Sequence, residues 1–298
     1  MASRYIGRFA PSPTGPLHFG SLVAALGACL QARSQAGEYL LRIEDVDAPR
    51  TVPGAATMIM RQLERFGFSW DGDVIWQSQR VDRYRAALDS LIVRGSVFPC
   101  VCSRKEIADS TLTRDGSRRY PGTCRDGLIA TRSARAWRVR TEPGDIAFSD
   151  AIQGECHEDV FDDVGDFVVM RADGQFAYQL AVVVDDAEQG VTHVVRGADL
   201  LDSTPRQIFL QRLLGYMTPE YAHLPVAINA SGEKLSKQTL AAPLDENNPV
   251  VALHAALVFL GQAPPSALMR ASVNEVWTWA QAHWRLDRVP KQRTQTIA

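Results

Sequence analysis

No apolar run in this chain is long enough to span a membrane, and the N-terminus lacks the apolar core of a signal peptide. The expectation is a soluble, cytoplasmic protein without membrane contact. Positive charge is not in excess either: 32 Lys and Arg face 34 Asp and Glu, a formal net charge of −2. A global basic field for nucleic acid is therefore missing, and any RNA contact must use local patches. Candidates are Arg114, Arg118 and Arg119, then Arg132, Arg135, Arg138 and Arg140, then Lys291 and Arg293 near the end. The 5 cysteines are odd in number and three of them cluster, which favours a metal or free thiols over a disulfide framework. Internal repeats and low-complexity tracts are also lacking.

What is present concentrates in one stretch, Gly7-Arg-Phe-Ala-Pro-Ser-Pro-Thr-Gly-Pro-Leu-His-Phe-Gly-Ser21. The pattern predicts a strand from Tyr5 to Ala10, a turn built on Pro11, Pro13, Gly15 and Pro16, and a helix carrying Leu22, Leu26 and Leu30 that stops near Gly37. Strand, rigid turn and helix present backbone N–H groups and a positive helix end to a phosphate. Gly15 and Gly20 would admit a ligand close to the backbone, with His18 and Ser21 in the first turn facing it. Many such turns only connect, and this one is neither G-x-G-x-x-G nor G-x-x-x-x-G-K-[S/T]. Far downstream, Lys234-Leu-Ser-Lys-Gln238 follows the apolar stretch His223 to Asn229 and a turn at Ser231-Gly232. Its two lysines suit a pyrophosphate leaving group as mobile point charges, although lysine-rich loops are mostly just solvated.

A second strand is expected from Glu38 to Val46, ending in Glu44-Asp45-Val46-Asp47, where open α/β sheets bind ligands. Helices follow at Ala55 to Phe66 and Arg80 to Arg94, with Trp70 and Trp76 as packing residues. Cys100-Val-Cys102 and Tyr120-Pro-Gly-Thr-Cys124 put three thiols on a short excursion, which suggests a structural zinc site. No histidine lies there to complete it, and Asp115 or Asp126 would be an easy fourth ligand. Cys156-His157 is a separate structural or incidental pair, and Cys29 falls on the core side of the first helix. Short strands are expected at Trp137 to Arg140 and Ile146 to Phe148, and a hairpin from Asp166 into Phe176 to Val184. Ala181-Val-Val-Val184 reads as a strand covered on both faces, ending in Asp185-Asp186. Val191 to Arg196 is the next strand, and Arg196-Gly-Ala-Asp199 turns it into a helix from Leu200 to Leu214. Ala241 to Pro249 is linker-like, and helices are expected at Val250 to Leu260 and Val273 to Trp284.

Pro11 to Ser21 together with Lys234-Leu-Ser-Lys237 resembles the two signature motifs of class I aminoacyl-tRNA synthetases of the glutamyl type. Arg42-Ile-Glu-Asp-Val-Asp47 and Arg196-Gly-Ala-Asp-Leu-Leu201 resemble that family too, and the likeness covers roughly residues 4–240. It implies an α/β, Rossmann-like catalytic domain over residues 1–240, a zinc-binding insertion at about 98–126 and a helical C-terminal part over 241–298. The implied reaction activates glutamate with ATP and Mg²⁺ to glutamyl-adenylate, before any tRNA binds. The resemblance places ATP on Pro11, Gly15, His18, Gly20, Ser21 and Lys237, with His18, Lys237 and Lys234 as the catalytic groups. It assigns Arg8, Ala10, Ser12, Glu44, Tyr178 and Arg196 to the glutamate pocket, with Glu44 taking the α-ammonium. Arg8 and Arg196 converging on one pocket would favour glutamate over glutamine. Tyr120 would be the fourth ligand of one zinc ion beside Cys100, Cys102 and Cys124. Two positions depart from the family's usual pattern: Ser21, often a second histidine, and Gln238, usually a serine.

More narrowly, the chain resembles a truncated branch of the family that places glutamate on queuosine in the anticodon loop of tRNA(Asp). Fewer than ~60 residues follow the lysine loop, too few for a separate anticodon-reading domain of usual size. The alternatives are a compact synthetase charging a tRNA 3′ end and a non-catalytic paralogue that binds RNA or amino acids. A monomer is expected.

Overall fold

The computed structural model describes residues 4–113, 116–128, 133–229, 231–234 and 243–297. β1 (Ile6–Phe9) runs through the Pro/Gly turn into α1 (Phe19–Ser34), which returns the chain to β2 (Glu38–Ile43). α2 (Ala55–Arg65), β3 (Ile75–Trp76) and α3 (Val81–Val93) follow. Next come β4 (Val97–Cys100), β5 (Ala136–Val139), β6 (Asp145–Asp150), β7 (Gly154–Asp159) and β8 (Val168–Met170). α4 (Tyr178–Glu188), β9 (His193–Gly197), α5 (Thr204–Leu214), β10 (Glu220–Leu224) and β11 (Val226–Ile228) complete the α/β part. α6 (Pro249–Phe259), α7 (Val273–His283) and β12 (Thr294–Thr296) close the chain.

β1 pairs in parallel with β2, and β2 with β3. β10 is parallel to β9 and to β6, and β7 runs antiparallel on β6. β9 lies beside β1: the Thr192 amide donates to the Ile6 carbonyl at 3.0 Å, and the Ile6 amide to Thr192 Oγ1 at 2.9 Å. The strand order is thus β3-β2-β1-β9-β10-β6-β7, and it reverses between β1 and β9. This is the doubly wound pattern, and a crevice opens at its switch point, outside the carboxyl ends of β1 and β9.

α1 is the central helix of the larger core. Leu22, Leu26 and Leu30 are buried as their spacing predicts, but so are Val23, Ala25, Ala28, Cys29 and Ala32. The sheet covers one side and α6 and α7 the other, so the helix shows no broad polar stripe. The C-terminal helices expected from the sequence are therefore present, but they share a core with β1 and α1. β12 pairs in parallel with β11, tying the tail to the sheet region.

The run Phe176 to Val184 departs from expectation. It is not a strand: α4 begins at Tyr178, and Leu180 through Asp186 are all buried. α3, α5 and β8 pack around it, so an apolar helix and an apolar strand look alike in sequence, and packing overrides the β preference of three valines. Asp185 and Asp186 accordingly sit near the end of a helix, not at a strand edge. Two smaller differences follow local geometry. Ala198–Ser203 is a 3₁₀ stretch, so α5 starts four residues later than the sequence suggests. The apolar stretch after His223 splits into β10 and β11 at Pro225. Among the described residues, no helix is long and apolar enough to cross a membrane.

Gly67 shows how closely the C-terminal part is docked. It has φ +82°, and an added Cβ would lie 2.6 Å from both Trp277 Nε1 and Val273 Cγ1 on α7. Trp277 Nε1 donates to the Phe66 carbonyl at 2.8 Å beside it. Gly67→Ala should therefore destabilise the fold by roughly 2–4 kcal/mol, from left-handed strain plus overpacking. Urea unfolding of both proteins measures it, and wild-type stability in the variant would show that α7 yields at this seam.

Candidate active site

The crevice at the switch point is a cleft of about 640 Å³. Arg8, Ala10, Pro11, Ser12, His18, Gly20, Ser21, Glu44, Tyr178, Arg196 and Lys234 all line it. Residues predicted from five separate stretches thus meet at one place. Gly15 sits in the turn with φ 136°, a setting open to glycine, but it does not line the cleft wall. Lys237 and Gln238 lie outside the described residues. The ends of their loop are nonetheless fixed. Lys234 bridges back to Ile228, and past the loop Pro243 pairs with His18 while the Leu244 amide donates to the Leu17 carbonyl at 3.1 Å.

His18 is the N-cap of α1, its Nδ1 accepting the Ser21 amide at 3.3 Å. The cap orients the ring at a helix end where anions are favoured. Lys234 Nζ is held by Asp199 at 2.6 Å, with both side chains partly exposed.

Behind the cleft floor lies a buried ion lattice. Asp186 takes Arg8 through both oxygens, at 3.2 and 3.3 Å, and Arg42 at 2.8 Å. Arg42, fully buried, also reaches Glu44 at 3.3 Å. Asp185 is held by Arg80 at 2.6 Å, Gln77 at 2.8 Å and the Tyr84 hydroxyl at 2.9 Å. Arg80 further pairs with Glu188 at 2.6 Å. Burial would raise the Asp186 carboxyl, but Arg8 and Arg42 outweigh it and hold it below the usual carboxylate range. Burial raises Glu44, and Arg42 and Arg8 offset this only in part. Arg83 also reaches Glu188, at 3.9 Å, so four guanidinium groups face four carboxylates, and of these acids Glu44 is the one that lines the cleft.

Arg196 is buried too, yet among the described residues no carboxylate pairs with it. Its partners are neutral: His223 Nε2 at 3.0 Å, Thr204 Oγ1 at 2.9 Å, the Leu200 carbonyl at 3.3 Å and the Tyr178 hydroxyl at 3.5 Å. His223 in turn lies 2.6 Å from Asp150. Sequence reasoning missed Asp150, His223, Asp185 and Arg80 as parts of this site. A histidine in an apolar stretch and an acid at the end of a short strand were the only available signals.

The sequence-predicted thiols converge. Sγ atoms of Cys100, Cys102 and Cys124 lie within 4.8 Å of one another. The Tyr120 hydroxyl is 3.5 Å from Cys100 Sγ and 3.4 Å from Cys102 Sγ. Asp126 is almost fully exposed and pairs with Arg140 instead, and Asp115 lies outside the described residues. Three sulfurs and one oxygen around a common point suit zinc's donor preference. Of the basic patches, Arg138 is corrected: it is buried, stacked on the Tyr120 ring at 3.9 Å and bonded to the Asp166 carbonyl, so it is no surface cation. Arg119 and Arg140 lie over Phe161 and Phe98, and Arg114 and Arg132 are outside the described residues. His157 bonds Asp145 at 2.9 Å, and burial pushes the Cys29 thiol up to about 12, as for an inert core residue.

The cleft at the switch point of the doubly wound sheet thus combines a capped helix end with an acid, Glu44, and a buried cation, Arg196. Residues 6–276 match the family described as tRNA synthetases class I (E and Q), catalytic domain, and the chain belongs to it. Within that class it is 66% identical, over 98% of its length and 92% of the relative's, to glutamyl-Q tRNA(Asp) synthetase of Aromatoleum aromaticum. It is 60% identical to the protein of that name from Dechloromonas aromatica, over 98% of each chain. A crystal structure of a glutamate tRNA ligase from Elizabethkingia meningosepticum in complex with its amino acid superposes with TM-score 0.82 at 25% identity, covering 99% of this chain and 67% of that one. The glutamate-tRNA synthetase of Elizabethkingia anophelis gives TM-score 0.83 at 24% identity, covering 99% and 68%, and supports the fold.

Burial holds the His223 imidazole down, from its ordinary 6.5 to about 4, against the pull of Asp150. Between those values the unfolded chain binds a proton that the folded chain refuses, so stability falls as pH drops through that window. The full loss is roughly 3 kcal/mol. Urea unfolding at pH 7 and pH 5 should show this slope in the wild type and a flatter one in His223→Gln. Equal slopes would assign the acid sensitivity to other groups.

Proposed function

We propose that this protein activates glutamate with ATP, without needing tRNA, and transfers it to queuosine in the anticodon loop of tRNA(Asp). The observation that carries the first step is the placement of Glu44 and Arg196 in one cleft with the capped end of α1 and Lys234. Glu44 offers an anion for the α-ammonium of an amino acid. Arg196 is a buried cation whose present partners are all neutral, ready for a carboxylate. Arg8, by contrast, is already neutralised by Asp186 and shapes the pocket more than it competes for the ligand.

In the proposed reaction a glutamate α-carboxylate oxygen attacks the α-phosphorus of ATP, supplied as its magnesium complex. The bond to the bridging oxygen breaks, pyrophosphate leaves and glutamyl-adenylate forms. This chemistry needs positioning and charge stabilisation more than a nucleophilic side chain. His18, the α1 N-terminus, Lys234 and Lys237 are assigned to the phosphates. A queuosine hydroxyl then attacks the activated carbonyl, AMP leaves and the hydroxyl proton goes to solvent. The RNA acceptor rests on the names of relatives aligned over nearly their whole length.

Labelled glutamate incubated with ATP and with tRNA(Asp) or tRNA(Glu), each with and without queuosine, tests the whole reading. Label should appear only on queuosine-containing tRNA(Asp) and should survive trimming of the 3′ end. Label on tRNA(Glu) would favour 3′ charging, and failure of glutamate to drive ATP–pyrophosphate exchange would leave only a binding role.

Cys100, Cys102, Tyr120 and Cys124 would hold a structural zinc ion, which would cross-link an excursion whose own core is small. Elemental analysis should find about one zinc per wild-type chain and much less in Cys102→Ser, with lower stability. Full zinc in the variant would remove Cys102 from the ligand set.

A further inference from the structure

Arg196 is useful to a carboxylate ligand only if its guanidinium is aimed. Nη2 is taken by Thr204 Oγ1 and the Leu200 carbonyl, and Nε donates to His223 Nε2. That leaves Nη1, beside the cleft-lining Tyr178 hydroxyl, as the edge turned to the ligand. The Nε bond requires a bare Nε2, which a histidine supplies in only one neutral tautomer.

Asp150 dictates that tautomer. Its Oδ1 accepts three backbone amides, from Ile152 at 3.0 Å, Gln153 at 2.9 Å and His223 at 3.1 Å. Its Oδ2 lies 2.6 Å from His223 Nδ1, and both side chains are 0% exposed. A carboxylate only accepts, so Nδ1 carries the proton and Nε2 faces Arg196 as an acceptor. We infer that Asp150 and His223 are positioning residues for amino-acid recognition, fixing through one imidazole tautomer the direction in which Arg196 meets the carboxylate of the substrate. This rests on the glutamate-activating reading and extends it to residues behind the pocket wall.

The geometry makes Asp150→Asn a selective probe. Three backbone amides pin its carbonyl oxygen at the Oδ1 position, so the NH₂ must occupy the Oδ2 position and face His223 Nδ1. The imidazole proton then moves to Nε2. Thr204 Oγ1, 3.3 Å away, can accept it, so the imidazole stays satisfied while Arg196 Nε loses its acceptor. The expected result in ATP–pyrophosphate exchange is a rise of about 10- to 100-fold in the KM for glutamate, the scale of one misplaced charge-assisted bond. The KM for ATP should stay unchanged and kcat should change much less. His223→Leu should behave the same way, and His223→Gln, whose amide can donate to Asp150 and accept from Arg196, should recover most of the loss. The ¹⁵N resonances of the wild-type imidazole should report a proton on Nδ1.

A wild-type KM for glutamate in Asp150→Asn, equal rises in both KM values, or no difference between the Gln and Leu variants would overturn the inference. So would an Nε2-protonated His223 in the wild type, a readout that needs no variant to fold. Absence of exchange in the wild-type protein would instead defeat the functional reading, and the nitrogen resonances would still decide the tautomer.

Discussion

Asp186 is gripped by guanidinium groups from two neighbouring strands, Arg8 on β1 and Arg42 on β2. It belongs to α4, so this one carboxylate fastens a helix to the two strands that begin the fold. Burying these charges is expensive, and the lattice repays it only because each member has several partners. Removing one member would leave its opposites buried and unpaired, at about 3–5 kcal/mol. The cleft inherits its charge pattern from this arrangement. Arg42 holds Glu44 from behind at 3.3 Å, while the Glu44 side chain lines the cleft.

The second constraint is the position of α1. Its N-cap histidine lies at the cleft while its body is packed between the sheet and the C-terminal helices. Leu224 of β10 approaches so closely that a Cβ on Gly27 would fall 2.6 Å from it. Residues from 243 onward therefore take part in holding the cleft-lining N-terminal end of α1, through α6, α7 and the pairing of Pro243 with His18. A small appendage by sequence is, by packing, the other wall of the central helix.

Local chemistry made much of this readable beforehand. The turn of prolines and glycines, the leucine spacing of α1 and the acid at the end of β2 each follow short-range rules: Pro11, Gly20 and Glu44 line the cleft, and the leucines are buried in the core behind it. The thiol cluster was readable for the same reason, since its cysteines lie close in sequence. The strand assigned to Ala181–Val184 failed because burial on all sides erases the periodicity that separates helix from strand. The polar core was illegible for a different reason. Asp150 and His223 are 73 residues apart, and Arg8 and Asp186 are 178 apart. Only the completed sheet brings such pairs together. Arg138 misled in the opposite sense: composition counts a guanidinium as surface charge, whereas a flat cation can be buried against an aromatic ring.

Arg196 and Lys234 show how one cleft can treat two anionic groups differently. Arg196 is buried, its hydrogen bonds are met by neutral groups, and its charge has no counterion among the described residues. A ligand carboxylate entering there displaces no competing carboxylate. Lys234 is partly exposed and already sits on Asp199. Taking it requires breaking an ion pair, but one screened by solvent and worth only about 1 kcal/mol or less. A polyphosphate carries several charges against the single charge of Asp199, so it can win that exchange, whereas a lone carboxylate gains little by it. A buried cation without a counterion among the described residues thus favours a single carboxylate, and a partly exposed, ion-paired one favours a group of higher charge, with no need for either to reject the other's ligand by shape.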